Sequence, residues 1–356
     1  MKFKWLKYFF IFTGPIIGMF GLTLHGWWTW ALPIYAYVAI PLMELIIPQD
    51  VANYSPEEEE KVKKSRFYDY ILYSLVPLQY FLLIYFLFSL QQDGLQWYEI
   101  LGRVTTFGLS CVTIGINVAH ELGHRVKASE QNMAKALLLT SQYMHFIIEH
   151  NRGHHKRVAT DEDPASARYG ETLYAFWVRS IRFSYLSALK LEADRLKKNN
   201  ISVWSLQNEM LQFAVLQVTL IVAIVAVFGP IILLCYLGSA FLGIILFETV
   251  NYLEHYGLRR KKIDGDKFER VLPAHSWNSY HFVSSALLFE VTRHSDHHYL
   301  ASRKYQILRS FDDAPKLPSG YSVMILLSFI PPLWFYVMHR HIEKLKNEKL
   351  INIAVV

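Results

Sequence analysis

A chain of 356 residues could form one large soluble domain or two small ones, but 53% hydrophobic and 15% aromatic residues make too apolar a surface for water. The formal net charge of +6 does not mark a nucleic-acid binder, because the lysines and arginines stand beside hydrophobic runs and not in one stripe. Only two cysteines occur, Cys111 and Cys235, both in apolar stretches, which excludes a disulfide framework, an iron–sulfur cluster and a thiolate zinc site.

The basic start, with Lys2, Lys4 and Lys7, leads into an apolar run that lacks a small-residue cleavage site, so it reads as a first anchor and not a signal peptide. A spanning helix needs about 20 apolar residues. Such runs lie near 5–24, 27–48, 69–91, 97–119, 210–229 and 231–252. They pair as three hairpins, joined at His25-Gly26, at Gln91-Gln92-Asp93-Gly94 and at Gly229-Pro230. None of these connections carries a lysine or arginine. The opposite ends hold nearly all of them: the amino terminus, Lys61 to Arg66, Arg125 to Lys198, and the chain after Arg259. The positive-inside rule then places both termini and the segments 120–209 and 253–356 in the cytoplasm, as in a bacterial inner-membrane protein. Arg103 is the one basic residue left within a span. The expectation is an all-α integral membrane protein, a single membrane domain over 1–356, with six transmembrane helices and a cytoplasmic helical cap.

Two short stretches have local readings. Ser55-Pro56-Glu57-Glu58-Glu59-Glu60 has the form of a helix start, with Ser55 as N-cap, Pro56 at the first position and acids in the first turn. Arg259-Arg260-Lys261-Lys262 fits the positive-inside rule and equally fits a landing site for an acidic electron carrier.

The chemistry lies in the histidines. Of fifteen, nine fall in a spaced pattern. His120-Glu121-Leu122-Gly123-His124 closes the fourth span, and its i,i+4 spacing puts both imidazoles on one helix face. His150-Asn151-Arg152-Gly153-His154-His155 follows an apolar helical segment near 134–148. His294-Ser295-Asp296-His297-His298 again shares one face, and His255 stands where the sixth span re-enters the cytoplasm. Topology brings all four elements to one side of the membrane. Imidazole suits zinc, copper, iron and nickel, so ligand type alone leaves the metal open. Nine histidines exceed what one zinc site uses and suit two metals with open positions. Glu121, Glu149, Asp163, Glu254 and Asp296 stand nearby as carboxylates that could accept the second ring N–H of a ligand and fix its orientation. His275 and His281 are further candidates for that supporting role. His120 to His124 also matches H-E-x-x-H, the zinc metalloprotease pattern with Glu121 as base, but that reading leaves the other clusters idle.

Around these residues the chain resembles the membrane-bound alkane 1-monooxygenases, within the wider group of membrane fatty-acid desaturases and hydroxylases. Four stretches carry the resemblance: Asn117 to Arg125; Glu149 to His155, running on through Val158-Ala159-Thr160 and Asp163 to Arg168; Asn251-Tyr252-Leu253-Glu254-His255-Tyr256-Gly257-Leu258; and Arg293 to His298, continuing to Tyr305–Arg309 and Leu317–Tyr321. The likeness spans about 100–340 and is weaker in the first three helices. It implies a diiron centre in the cap, held by His120, His124, His150, His154, His155, His255, His294, His297 and His298. It further implies hydroxylation of the terminal methyl of medium- to long-chain n-alkanes to primary alcohols, with O2 and electrons from rubredoxin and its reductase or a ferredoxin equivalent. The chain lacks the cysteine pairs of a fused rubredoxin, so the donor is a separate protein, and the other partners are membrane lipid and an apolar alkyl substrate. Tyr280 replaces the asparagine usual in the family, Phe289-Glu290-Val291 is unusual, and the amino-terminal region is short. These departures bear on substrate range. A desaturase, or a hydroxylase of fatty acyl chains or aromatic methyl groups, is the alternative. Gly108, Gly115, Phe247 and Thr249 are candidates for lining an alkyl channel, and Glu248 is an acid deep in the sixth span.

Overall fold

The computed structural model describes residues 4–265 and 267–347; Lys2 and residues 348–356, on which part of the topology argument draws, lie outside the described residues. Helices dominate. Six of them among the described residues are long and apolar enough to cross a membrane: Trp5–Thr23, Gly26–Ile46, Phe67–Ser89, Trp97–Gly123, Glu209–Phe228 and Pro230–His255. The chain is thus an all-helical integral membrane protein, with a two-stranded hairpin (Lys262–Asp264 with Lys267–Phe268) as its local exception. The fourth and sixth spans run on to Gly123 and His255, past the ends expected at 119 and 252. Hydropathy ends where polar side chains begin, but backbone hydrogen bonding continues because those side chains are buried in protein and not in lipid.

The domain expected over 1–356 is built of two compact units, each assembled from three separate stretches. One comprises Met1–Val38, Phe67–Arg152 and Tyr185–Phe247; the other comprises Ala39–Arg66, Gly153–Ser184 and Glu248–Val356.

In the first unit the hairpin turns need residues that tolerate positive φ, and Gly94 (φ 76°) and Gly229 (φ 84°) supply it. Arg103, the basic residue stranded in a span, is fully buried and donates to backbone carbonyls of Ser89 and Leu24 and to Gln92 Oε1 at 2.8 Å. Its charge satisfies carbonyls left open where neighbouring helices end. The fourth span contains a π-helical segment, Cys111–Ile116, immediately before the helix that carries His120. Such widened turns shift every later side chain around the helix axis and recur at functional sites.

Gly108 and Gly115 are packing positions and not channel lining. A Cβ at Gly108 would stand 2.8 Å from Leu242, and one at Gly115 would stand 2.6 Å from Ser141 Oγ. Gly243 is as tight, and against less yielding atoms, since its Cβ would meet Cys111 Cβ at 2.6 Å and the Gly108 carbonyl at 3.2 Å. The backbones approach because no side chain intervenes. Gly243→Val is therefore expected to destabilise the detergent-solubilised protein by about 1–3 kcal/mol, the usual cost of overpacking. Its thermal unfolding midpoint should fall measurably below that of the parent chain.

The second unit has an aromatic core that includes Phe176, Tyr252, Tyr256, Trp277, Tyr321 and Trp334. Trp277 Nε1 donates to the Tyr256 carbonyl at 2.9 Å, and its backbone N–H donates to the Glu254 carbonyl at 2.8 Å. These bonds pin the loop after the hairpin against the end of the sixth span. The helix Pro56–Lys64 starts as its sequence predicts: Ser55 Oγ accepts from the Glu58 N–H, and the Glu58 carboxylate accepts from the Ser55 N–H.

Candidate metal centre

The first unit gathers three of the predicted ligands. His120 lies on the helix Asn117–Gly123, with His124 as its C-cap. The apolar segment expected near 134–148 breaks after Thr140, and a short helix, Phe146–Glu149, leads into a π-turn beginning at His150. Asn151 Nδ2 donates to the Gly123 carbonyl at 2.9 Å and so ties the second motif to the end of the first. The ring centres of His120, His124 and His150 lie 4.5–5.1 Å apart. Nε2 of His124 stands 3.0 Å from Nε2 of His150. Phe146 stacks on His150 at 4.8 Å and packs edge-on against Phe247 at 4.8 Å, which gives this set an apolar neighbour.

Glu121 is engaged in an ion pair, its carboxylate accepting from Arg125 at 2.6 Å, and Arg125 also reaches Asp69 at 3.3 Å. All three side chains are buried. A general base must be free to take a proton from water; Glu121, held by a guanidinium, is poorly placed for the protease role. Glu149 accepts from Ser187 Oγ at 3.1 Å.

The second unit gathers the other six histidines in two sets. His154, His255, His294 and His298 are all buried, and their ligand atoms lie within 4.8 Å of one another. The Nε2 atoms converge: His154 to His298 at 3.2 Å, His298 to His294 at 2.9 Å, and His294 to His255 at 3.1 Å. The other set is His155 with His297, whose Nε2 atoms stand 3.1 Å apart. The third motif thus divides. His294 and His298 face one set and His297 the other, although their spacing placed all three on one face.

This convergence can be tested against a metal. Nitrogens ~2.1 Å from one ion stand about 3.0–3.4 Å apart, depending on geometry. The observed separations, 2.9–3.2 Å, lie at the short end of that range. Without an ion they are costly, because a neutral imidazole carries one N–H and His294 Nε2 alone meets His255, His298 and a carboxylate. Burial, with a smaller effect from neighbouring imidazoles, drives the pKa of His294 and His298 well below the ordinary range. They are held neutral, the state in which imidazole binds a metal. The donor set is chemically fitted to a metal centre.

The carboxylates split in role. Asp163 accepts from His154 Nδ1 at 2.8 Å, the nitrogen remote from the converging Nε2 atoms, and also from Ser166 Oγ at 2.6 Å. Burial raises its pKa, but the His154 charge and the hydrogen bonds outweigh this and leave it below the usual carboxylate range. Asp296 does not take the expected part. It accepts from the Arg309 N–H at 2.8 Å and pairs with Arg303 at 3.0 Å, because its helix turns it away from the imidazole side. His275 faces Glu269 at 3.2 Å, and His281 faces Ser279 at 2.9 Å. Glu254 lies on the Nε2 side of His294, at 3.3 Å. Thr249 accepts from Trp177 Nε1 at 3.1 Å, and Glu248 accepts from Ser180 Oγ at 2.5 Å. Ser166 and Tyr321 were not singled out from sequence, although both lie inside the motif stretches. Their signal was proximity to Asp163 in one case, and in the other only a place downstream of the third motif.

The chain matches the fatty acid desaturase family over residues 95–328. It is 39% identical to an alkane 1-monooxygenase of Acinetobacter baylyi, across 89% of this chain and 78% of that protein. It is 39% identical to alkane 1-monooxygenase 1 of Alcanivorax borkumensis, across 90% and 80%. Against an alkane 1-monooxygenase of Pseudomonas putida the identity is 37%, across 99% and 88%.

Proposed function

Since this chain belongs to the fatty acid desaturase family and, within it, to the alkane 1-monooxygenases, we propose that it hydroxylates the terminal methyl of n-alkanes to primary alcohols. In this reading two irons are the cofactor and O2 the oxidant. One iron is assigned to His154, His255, His294 and His298 in the second unit; His155 and His297 there, and His120, His124 and His150 in the first unit, are the further candidate ligands. The observation that carries the reading is a converging imidazole donor set on a chain of this family.

The irons supply the oxygen chemistry when bound. The chain's own residues do the rest. Asp163 fixes the tautomer of His154, so that Nε2 is the free donor. Phe146, backed by Phe247, places aromatic carbon beside His150, a surrounding that suits an alkyl chain more than a charged substrate. An apolar wall that holds the chain end-on favours attack at the methyl, although internal C–H bonds are weaker. The lysine and arginine distribution supports cytoplasmic termini and a cytoplasmic metal site, and electrons then come from a separate rubredoxin and its reductase, or an equivalent ferredoxin.

The test is metal analysis of purified protein together with separate feeding of octane, hexadecane, xylene and a fatty acid, using added rubredoxin and reductase. About two irons per chain and a primary alcohol from an alkane are expected. Conversion of the fatty acid alone would remove the alkane assignment while leaving the family intact.

A further inference from the structure

We propose that Glu254 supplies an anionic oxygen to the metal held by His154, His255, His294 and His298, in place of supporting a ligand from behind. The proposal rests on the metal reading above. His294 Nε2 faces His255 and His298, so it is the metal-side nitrogen of that ring. Glu254 Oε2 stands 3.3 Å from this same atom. Asp163, by contrast, holds its histidine through Nδ1, on the far side of the ring.

A nitrogen that binds a metal has no hydrogen to donate. Once a metal is bound, the contact between His294 Nε2 and Glu254 Oε2 cannot be a hydrogen bond, and that oxygen needs another positive partner. Its surroundings offer few. Glu254 is buried, with 2% of its surface exposed, and its other oxygen accepts from Tyr321 Oη at 2.7 Å. Among the described residues no lysine or arginine pairs with it. A buried carboxylate without a cation is strongly disfavoured, whereas four neutral imidazoles leave the full charge of a bound metal uncompensated. Each deficiency is the remedy for the other. Glu254 directly precedes His255 on the same helix, so its backbone is fixed by the element that carries a ligand.

The experiment titrates purified, metal-stripped full-length chain with cobalt(II), whose visible absorption reports coordination. It compares the parent with Glu254→Gln, Glu254→Asp and Tyr321→Phe. Glu254→Gln keeps the shape and removes the charge. It should weaken cobalt binding at one site about 10–100-fold and change that site's spectrum. Glu254→Asp should bind more tightly than the glutamine variant, and Tyr321→Phe should stay close to the parent. Parent-like binding and spectrum in Glu254→Gln would overturn the proposal, as would equal losses in Glu254→Gln and Glu254→Asp. A loss in Tyr321→Phe as large as in Glu254→Gln would show a structural pair and also overturn it. A parent chain that binds no metal would instead remove the metal reading on which the proposal stands.

Discussion

Replacing His294 with alanine is expected to leave the chain folded, to lower bound metal by about one ion per chain, and to reduce alkane hydroxylation about 10^3-fold or more. A 10^3-fold loss is about 4 kcal/mol of transition-state stabilisation. The effect is large because of where this ring stands. His294 Nε2 lies 2.9 Å from His298 and 3.1 Å from His255, so it links two other ligands of the four-histidine set. Alanine leaves three imidazoles and an opening, and a metal that loses one of four imidazole donors loses both affinity and fixed geometry. Metal content and turnover should fall together, while circular dichroism of the helices stays unchanged. Activity at the parent level with full metal would show that this set is not the working centre.

Asp163→Asn is expected to weaken metal retention about 10–100-fold, which is the usual consequence of losing a carboxylate behind a histidine ligand. The side chain keeps its size, so the packing cost is small. What changes is charge and hydrogen bonding. Asp163 is fully buried, accepts from His154 Nδ1 at 2.8 Å, and is held ionised by that contact together with Ser166 Oγ and the Ala165 N–H. An amide in this position is a weaker acceptor, and its NH2 can face the ring and favour the wrong tautomer. Then His154 would carry its hydrogen on Nε2, 3.2 Å from His298 Nε2, where a lone pair is needed. Dialysis of iron-loaded protein against a weak chelator, followed by metal analysis, measures the difference. Retention equal to the parent would mean that His154 is oriented by packing alone.

The same buried groups show how far sequence reasoning reached. Six spans were legible because a run of about 20 apolar residues has few alternatives in a lipid-facing chain. Their turns were legible because Gly94 and Gly229 occupy backbone conformations that other residues avoid. The helix at Pro56–Lys64 was legible from Ser55 and Glu58, which act within one turn of each other. Each of these signals is local. Glu254, His275 and Asp296 were near the right places but were given one undifferentiated role, since sequence reports that an acid or imidazole is close by and not which atom it meets. Gly108 and Gly115 look like channel positions in the sequence because the residue that fills the space opposite each, Leu242 or Ser141, is remote along the chain.

The nine spaced histidines, their helical periods and the membrane spans beside them were determined by the sequence alone. How six of those histidines divide between sets was decided only by the tertiary structure. His154 faces His298, while the next residue, His155, faces His297. The motif that looked like one face of one helix likewise sends His294 and His298 one way and His297 another. Successive positions on a helix point about 100° apart, so neighbours in a motif are poised to serve different partners. Which partner stands in each direction depends on helices brought together from more than a hundred residues away, as between His154 and His298. Local periodicity carries no record of that packing.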